Sequence, residues 1–262
     1  MADRLLNGLF AAAVVAALLA DSAHAHSGRR FAIEVVDGRV QAQGINSGPD
    51  DGAPIVRPYV NSLHDHWQNV QGIGAVASLP GFDITPSSSV ALAGHRLDIE
   101  WLRVREWLDP PLTPSEGLVP GLTPLPPDHL LSVHFPSTTL TSDTLGTAVL
   151  AEEIVFGGVR DIDLVYQVNR MPQGSIHVLD FRLVPHRLDG LASPILPSAT
   201  VHVLLSPDGV TPQERLHHAS LYLESYLASV PEPSSLLLIA TCLAVHAMRL
   251  PRKPSGDFCL RV

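Results

Sequence analysis

Residues 31–43 read FAIEVVDGRVQAQ, two strand-like runs joined by the pair Asp37-Gly38. An Asp-Gly pair supplies the two positive-φ positions of a type I′ turn, whose twist matches that of the strands on either side. The stretch therefore predicts a β-hairpin. The domain that begins a few residues earlier is expected to open with strands.

Two further strand-like runs follow this hairpin, at residues 55–59 and 96–105. A loop rich in Gly, Asp, Asn and Pro, residues 44–54, precedes the first of them. Alternation of apolar and polar residues in the second run predicts a half-buried strand face. The expected inward residues are Leu97, Ile99, either Trp101 or Leu102, and Val104.

Residues 161–168 show the cleanest alternation in the chain, which predicts a single strand. Residues 171–174, Met-Pro-Gln-Gly, have the composition of a turn, so residues 175–184 are expected to return as the partner strand. Residues 200–205 predict another strand. Short strands with Pro and Gly between them indicate an all-β fold, an antiparallel sandwich or jelly roll.

One helix is predicted, at residues 212–228 near the end of this domain. The sequence Thr-Pro-Gln-Glu at residues 211–214 combines a capping box with proline at the first helical position, and an apolar stripe follows it. Residues 109–127 contain seven prolines. Proline lacks the backbone N–H that a central strand or helix needs, so this segment is predicted to be a long surface loop.

The first 25 residues have the three parts of a secretory signal peptide. Arg4 supplies the positive charge, residues 5–20 form the apolar region, and Ala23 and Ala25 frame an A-x-A cleavage site. Cleavage after Ala25 would leave residues 26–229 as the exported domain. The alternative, an uncleaved membrane helix, is disfavoured because the apolar run is shorter than the roughly 20 residues of a membrane span.

The other end of the chain carries a second processing signal. Residues 230–235 read VPEPSS, an apolar run occupies residues 236–248, and Arg249, Arg252 and Lys253 follow it. Cationic residues directly after an apolar run stay in the cytoplasm, which predicts a membrane helix at residues 235–249 and a short tail at residues 254–262. A buried core helix is the alternative for this run.

This C-terminal arrangement resembles the PEP-CTERM sorting signal, and the sorting region covers residues 230–253. The resemblance implies that Pro231, Glu232 and Pro233 are the motif recognised by an exosortase-type sorting enzyme. It also implies export through the inner membrane, anchoring there by the C-terminal helix, delivery to the cell surface, and association with exopolysaccharide. The domain itself resembles uncharacterised exported proteins with the same tail, in residues 56–67 (VRPYVNSLHDHW) and 214–227 (ERLHHASLYLESYL), which implies no particular activity.

The charge and cysteine content of the chain exclude some functions. Residues 26–230 hold twelve arginines, no lysine and twenty-two acidic residues, an excess of ten negative charges. Nucleic acid is therefore not expected as a partner, because binding its phosphates requires a basic surface. Cys242 and Cys259 both lie beyond residue 230, so the domain is expected to have no internal disulfide.

Histidine is the chemical anomaly of the domain, with eleven residues between positions 26 and 230. His64 and His66 occupy positions i and i+2, which lie on one side of a strand and could provide two ligands for zinc, copper or iron. A third ligand is then expected from the helix, at His217 or His218. The remaining candidates lie on or beside strand runs, at His95 and His134.

Two alternatives remain open for these histidines. They are either metal ligands or hydrogen-bonded structural residues. No serine-nucleophile, phosphate-loop or dinucleotide motif is present in the sequence. The sequence therefore favours a structural or binding surface protein over an enzyme, with a metal-binding module or metalloenzyme as the alternative.

Overall fold

The structure is a computed structural model, and it describes residues 30–45, 54–55, 60–63, 67–78, 81–110, 119–207 and 209–229. The predicted signal peptide, sorting motif and C-terminal membrane helix lie outside these residues. So do His64 and His66.

The described part of the chain is mostly β. Its strands are β1 (Arg30–Val36), β2 (Arg39–Ile45), β3 (Pro54–Ile55), β4 (Val60–Leu63), β5 (Gln68–Val70), β6 (Gly74–Ala77), β7 (Gly81–Ile84), β8 (His95–Leu108), β9 (Leu122–Pro124), β10 (Leu131–His134), β11 (Thr139–Thr141), β12 (Thr147–Ala151), β13 (Arg160–Ile162), β14 (Val165–Val168), β15 (Ser175–Arg187) and β16 (Val201–Leu205).

These strands form three sheets. The first has the order β13-β7-β1-β2-β3 and the second β11-β10-β14-β6-β5. The third has the order β12-β8-β15-β16-β4, and β9 pairs with the end of β8. Most neighbours are antiparallel, whereas β1 with β7 and β16 with β4 are parallel. The all-β prediction is confirmed at this level, with three mixed or antiparallel sheets.

The hairpin at residues 31–43 forms as predicted. β1 and β2 pair from Arg30 with Ile45 to Val36 with Arg39, which leaves Asp37 and Gly38 as the two-residue turn. Both turn residues have positive φ, 51° and 72°. A type I′ turn requires this conformation, and the Asp-Gly pair tolerates it.

The prediction of a single strand at residues 161–168 is wrong. The segment forms two strands in different sheets, because β13 pairs with β7 whereas β14 pairs with β10 and β6. The break falls at Asp163, whose carboxylate accepts a hydrogen bond from the guanidinium of the buried Arg30 at 2.8 Å. The alternation of apolar and polar residues is a local pattern. It could not show that the chain passes from the first sheet to the second at this point.

The partner predicted for residues 175–184 is also wrong. The strand forms, as β15, but it pairs with β8 and β16 instead of returning along residues 161–168. Its antiparallel ladder with β8 runs from Ser175 opposite Leu108 to Arg187 opposite His95. This long ladder offers far more backbone hydrogen bonds than the four-residue β14 could provide.

The ladder between β8 and β15 contains a β-bulge. Asp180 lies opposite Arg103 and Phe181 lies opposite Trp101, so Leu102 is an extra residue on β8. An extra residue shifts the alternation of the strand that holds it. Trp101 and Val104 consequently both belong to the main core, which resolves the alternative between Trp101 and Leu102 in favour of Trp101.

Two helices are present in the described residues. The predicted C-terminal helix is α2 (Gln213–Ser229). Leu216, Ala219 and Leu223 on its apolar stripe are fully buried against the outer face of β8 and β15. The other, α1 (Pro86–Ala91), was not predicted, because six residues are too few to show a helical period.

The proline-rich segment is only partly a loop. Leu122–Pro124 forms the short strand β9 at the edge of β8. Proline has no backbone N–H to donate. Pro124 is tolerated in β9 because the outer side of an edge strand does not pair with another strand. Residues 111–118 lie outside the described part.

The main core lies between the sheets and is joined by three phenylalanines. Phe31 on β1, Phe82 on β7 and Phe181 on β15 are fully buried, with ring centroids 5.4 to 6.2 Å apart. This cluster connects the first sheet with the third. A second, smaller core lies between α2 and the outer face of the third sheet.

The described residues up to Leu227 belong to one compact unit, and Ala228 and Ser229 at the end of α2 belong to a second. Among the residues that the structure describes, no helix has both the length and the apolar character needed to cross a membrane.

We expect Phe82→Ala to lower the free energy of unfolding by about 3–5 kcal/mol, because it removes a fully buried ring and leaves a cavity between two sheets. Urea denaturation followed by fluorescence measures the change. Leu191→Ala is the matched control, since Leu191 is exposed and its loss should cost less than about 0.5 kcal/mol. Similar costs for the two variants would contradict the assigned core.

Candidate metal centre

Two residues of the candidate centre are direct neighbours across the long ladder. Glu106 on β8 lies opposite His177 on β15, so their side chains leave the sheet on the same face. Both are buried, with 2% and 0% of their surface exposed. The bulge at Leu102 places Glu106 on this inner face, because it turns Val104 and then Glu106 towards the main core.

The third residue of the centre, His129, comes from the end of the proline-rich segment. A turn in which the backbone N–H of His129 donates to the carbonyl of Pro126 at 2.9 Å brings the ring inward. Its Nδ1 lies 3.0 Å from Glu106 Oε1, within hydrogen-bond distance. Asp128 Oδ2 is 4.0 Å from its Nε2, so a carboxylate lies near the other ring nitrogen.

The spacing of these three groups fits a metal ion. One ligand atom from each of Glu106, His129 and His177 lies within 4.8 Å of the others. Glu106 Oε1 is 3.0 Å from His129 Nδ1 and 3.7 Å from His177 Nε2. Ligand atoms around a tetrahedral zinc ion, with bonds of about 2.0–2.1 Å, are about 3.3 Å apart. The observed separations lie on either side of this value.

The electrostatics of His177 favour a ligand role. Burial, reinforced by the neighbouring His129, lowers the pKa of His177 to about 3, so its ring is neutral at physiological pH. Neutral imidazole is the form that binds metal. Neither Nδ1 nor Nε2 of His177 has a hydrogen-bond partner. Among the described residues, His177 is the only one with two buried polar atoms that lack a hydrogen-bond partner.

Two of the histidines predicted from sequence, His95 and His134, are described and are not part of this group. His95, at the start of β8, contacts the carbonyl of Ala93 at 3.2 Å and the hydroxyl of Ser193 at 3.1 Å. His134, at the end of β10, contacts Thr139 and Gln167 through its two ring nitrogens. These two histidines already have hydrogen-bond partners within the fold.

Of the other predicted ligands, only the side chain of His218 is described. His218 is half-buried on α2, and the side chain of His217 lies outside the described part, as do His64 and His66. The predicted convergence of His64 and His66 with the helix histidines stays a prediction.

Sequence reasoning missed Glu106, His129 and His177 because no local motif connects them. His129 follows Glu106 by 23 residues, and His177 lies on a strand that is distant in sequence. The available signal was weak: His177 lies between the apolar residues Ile176 and Val178, where a buried polar group needs a partner, whereas Glu106 follows Arg105 and gave no such signal.

A second buried polar cluster lies on the opposite face of the same strands, around Asp180. The Asp180 carboxylate is fully buried and accepts hydrogen bonds from Arg103 at 2.5 Å, Arg105 at 2.7 Å and His202 Nδ1 at 2.6 Å. Burial by itself would raise the pKa of Asp180, but the hydrogen bond and charge of His202, together with the arginines, hold that pKa below its ordinary value. This carboxylate is therefore ionised and fully partnered, unlike the ring of His177.

Comparison with known proteins does not assign a family. No family model matches the chain, and no curated protein matches it. Among solved structures, the N-terminal domain of PorA is similar over 70% of this chain and 99% of that domain, with 11% sequence identity and a TM-score of 0.32. Similarity at this level carries no argument about fold or function.

We expect the Asp180 cluster to make stability depend on acid pH. A carboxyl group whose pKa is depressed in the folded state contributes fully above its unfolded pKa, about 3.9, and loses that contribution as the pH falls through the lower folded value. Urea denaturation between neutral and strongly acid pH should therefore show a steeper acid loss for the native protein than for Asp180→Asn.

The same variant should be less stable at neutral pH by about 3–5 kcal/mol, because the substitution leaves Arg105 without its buried counter-charge. Glu152→Gln is the control, since Glu152 is exposed and its variant should follow the native pH profile. Parallel acid profiles for the native protein and Asp180→Asn would contradict the role of Asp180.

Proposed function

We propose that this protein is a metal-binding module that holds one transition-metal ion between Glu106, His129 and His177. The observation that carries the proposal is the His177 ring, fully buried and neutral with both nitrogens unpartnered. A buried polar group without a partner costs about 1–3 kcal/mol. A bound metal ion would give one nitrogen of His177 a partner and so remove the cost of leaving that nitrogen unpartnered.

The ligand set narrows the choice of metal. Two imidazole nitrogens and one carboxylate oxygen suit zinc, copper or iron, whereas calcium and magnesium prefer oxygen ligands throughout. The carboxylate of Glu106 also supplies a negative charge that offsets part of the charge of a divalent ion in a buried site. Zinc is the metal chosen for the tests, since Glu106 Oε1 lies 3.0 and 3.7 Å from the two imidazole nitrogens, on either side of the tetrahedral value of about 3.3 Å.

Each ligand has a distinct role in this proposal. Glu106 and His177 are held by the strand ladder and would set the position of the ion. His129 would complete the set from the segment, with Asp128 close enough to its far nitrogen to orient the ring after a small adjustment. The ion would supply charge stabilisation and cross-linking inside the core.

We expect the purified protein to bind one zinc ion per chain, measured by elemental analysis after dialysis. Glu106→Gln and His129→Gln should weaken zinc affinity by at least about 100-fold, more than the loss of an outer-shell partner causes. The matched control is His134→Gln, because His134 is a histidine of the same domain, half-buried at the end of β10, that lies outside the group. Equal affinity of all three variants would exclude the proposed site.

The variant His177→Leu separates metal binding from a purely structural role. If the group binds no metal, replacing an unpartnered buried ring by an apolar side chain should leave stability unchanged or raise it. If it binds zinc, the variant should lose the ion and the stabilisation that zinc provides, as measured by thermal unfolding with and without zinc. Absence of any zinc-dependent shift in the native protein would contradict the proposal.

We also propose that this module, with a β-sandwich type of core, belongs to an exported protein sorted to the cell surface. The support is the sequence of the two ends: the signal peptide with Ala23 and Ala25, and the motif Pro231-Glu232-Pro233 followed by an apolar run and basic residues. In this proposal an exosortase-type enzyme processes the tail, the inner membrane holds the intermediate, and exopolysaccharide is the surrounding material. The role at the surface is structural or binding.

Changing Pro231, Glu232 and Pro233 together to alanine should leave full-length protein in the inner membrane, because the sorting enzyme loses its recognition motif. Immunoblots of membrane and surface fractions measure the distribution. Alanine substitution of Pro251 and Pro254, beyond the apolar run, is the control and should leave sorting intact. Surface display of the triple variant at the native level would contradict the proposal.

A further inference from the structure

The three ligands of the centre come from two very different parts of the fold. Glu106 and His177 are neighbours in the longest ladder of the third sheet, so their relative position is set by backbone hydrogen bonds on both sides. His129 lies outside the strands, at the end of the segment 119–130 that contains β9. A metal ion on all three would therefore connect this segment with the centre of the sheet.

The segment 119–130 is attached to the rest of the fold through one short strand and single hydrogen bonds. Its only strand, β9, has three residues, and its prolines at positions 120, 124, 126 and 127 have no N–H to donate. Half of its residues are exposed, whereas His129 is buried. Besides β9 and the partly buried Leu122 and Leu125, hydrogen bonds of Asp128 and Leu130 with Asn169 and Arg170 hold the end of the segment beside β14. The contact between His129 and Glu106 links this end of the segment to the inner face of β8.

We infer that the metal acts as a structural cross-link that fastens the segment 119–130 to strands β8 and β15. This inference rests on the proposed function, since it assigns a role to the same site. Without the ion, one hydrogen bond of 3.0 Å joins His129 to Glu106, and His177 takes no part. With the ion, opening of the segment would require breaking a metal–nitrogen bond.

The burial of the ligands favours a structural role over catalysis. The side chains of Glu106, His129 and His177 are 3%, 8% and 0% exposed. A substrate could reach the ion only after the part of the chain that carries His129 had moved away, and that movement would remove one ligand. The ion would accordingly enter and leave through opening of the segment.

Hydrogen–deuterium exchange of the purified protein, with and without zinc, tests the inference. We expect amides in peptides covering residues 119–130 to exchange about 100-fold more slowly when free zinc is 100 times its dissociation constant, because only the closed segment provides all three ligands. Peptides covering the hairpin at residues 30–45, in another sheet, are the internal control and should not change.

Two variants test whether His129 is required for the zinc-dependent slowing of exchange. His129→Gln should remove the zinc-dependent slowing in residues 119–130, and His134→Gln should retain it. Should His129→Gln fail to fold, the comparison of the native protein with and without zinc still decides the question.

Each outcome has a defined meaning. If one zinc ion binds but exchange in residues 119–130 is unchanged, the cross-link is wrong and metal binding stands. If zinc slows exchange equally in residues 30–45 and 119–130, the ion stabilises the whole fold and the local cross-link is also wrong. If no zinc binds, the proposed function and the cross-link both fail.

Discussion

The antiparallel ladder between β8 and β15 is the interaction on which the rest of the structure depends. It is the longest strand pairing in the described residues. One face contributes to the core between the sheets, including the phenylalanine cluster, and α2 covers the other face around Trp107, Ile176 and Val178. The single bulge at Leu102 sets which residues of β8 point to which core.

The two faces of this ladder also carry two different kinds of buried polar group. On the outer face, the Asp180 carboxylate is paired with Arg103, Arg105 and His202, so its charge is compensated by neighbours. On the inner face, His177 has no partner. In the first cluster both oxygens of the Asp180 carboxylate are partnered and only Nε of Arg105 is not, whereas in the second both nitrogens of the His177 ring lack a hydrogen bond. This difference distinguishes a binding site from a structural network in the same sheet.

A metal centre would also stabilise a part of the chain that has no cysteine and therefore no disulfide. The chain has no cysteine between residues 26 and 230, so no disulfide can join distant parts of this region. A metal ion shared by Glu106, His129 and His177 would join distant parts of the chain in a comparable way. The bond would form between side chains that the fold has already brought together.

The sequence by itself determined the local elements: the hairpin at Asp37-Gly38, the helix near Glu214, the mostly β character and the acidic surface. Each depends on residues close together in the chain, through turn conformation, capping and alternation. The tertiary structure alone decided strand pairing and the candidate centre. Alternation continued from Ile99 and Trp101 would place Glu106 outward, and only the bulge in the ladder turns it inward. His129 and His177 meet Glu106 because strands distant in sequence pair there, and such pairing depends on the whole core and not on any local pattern.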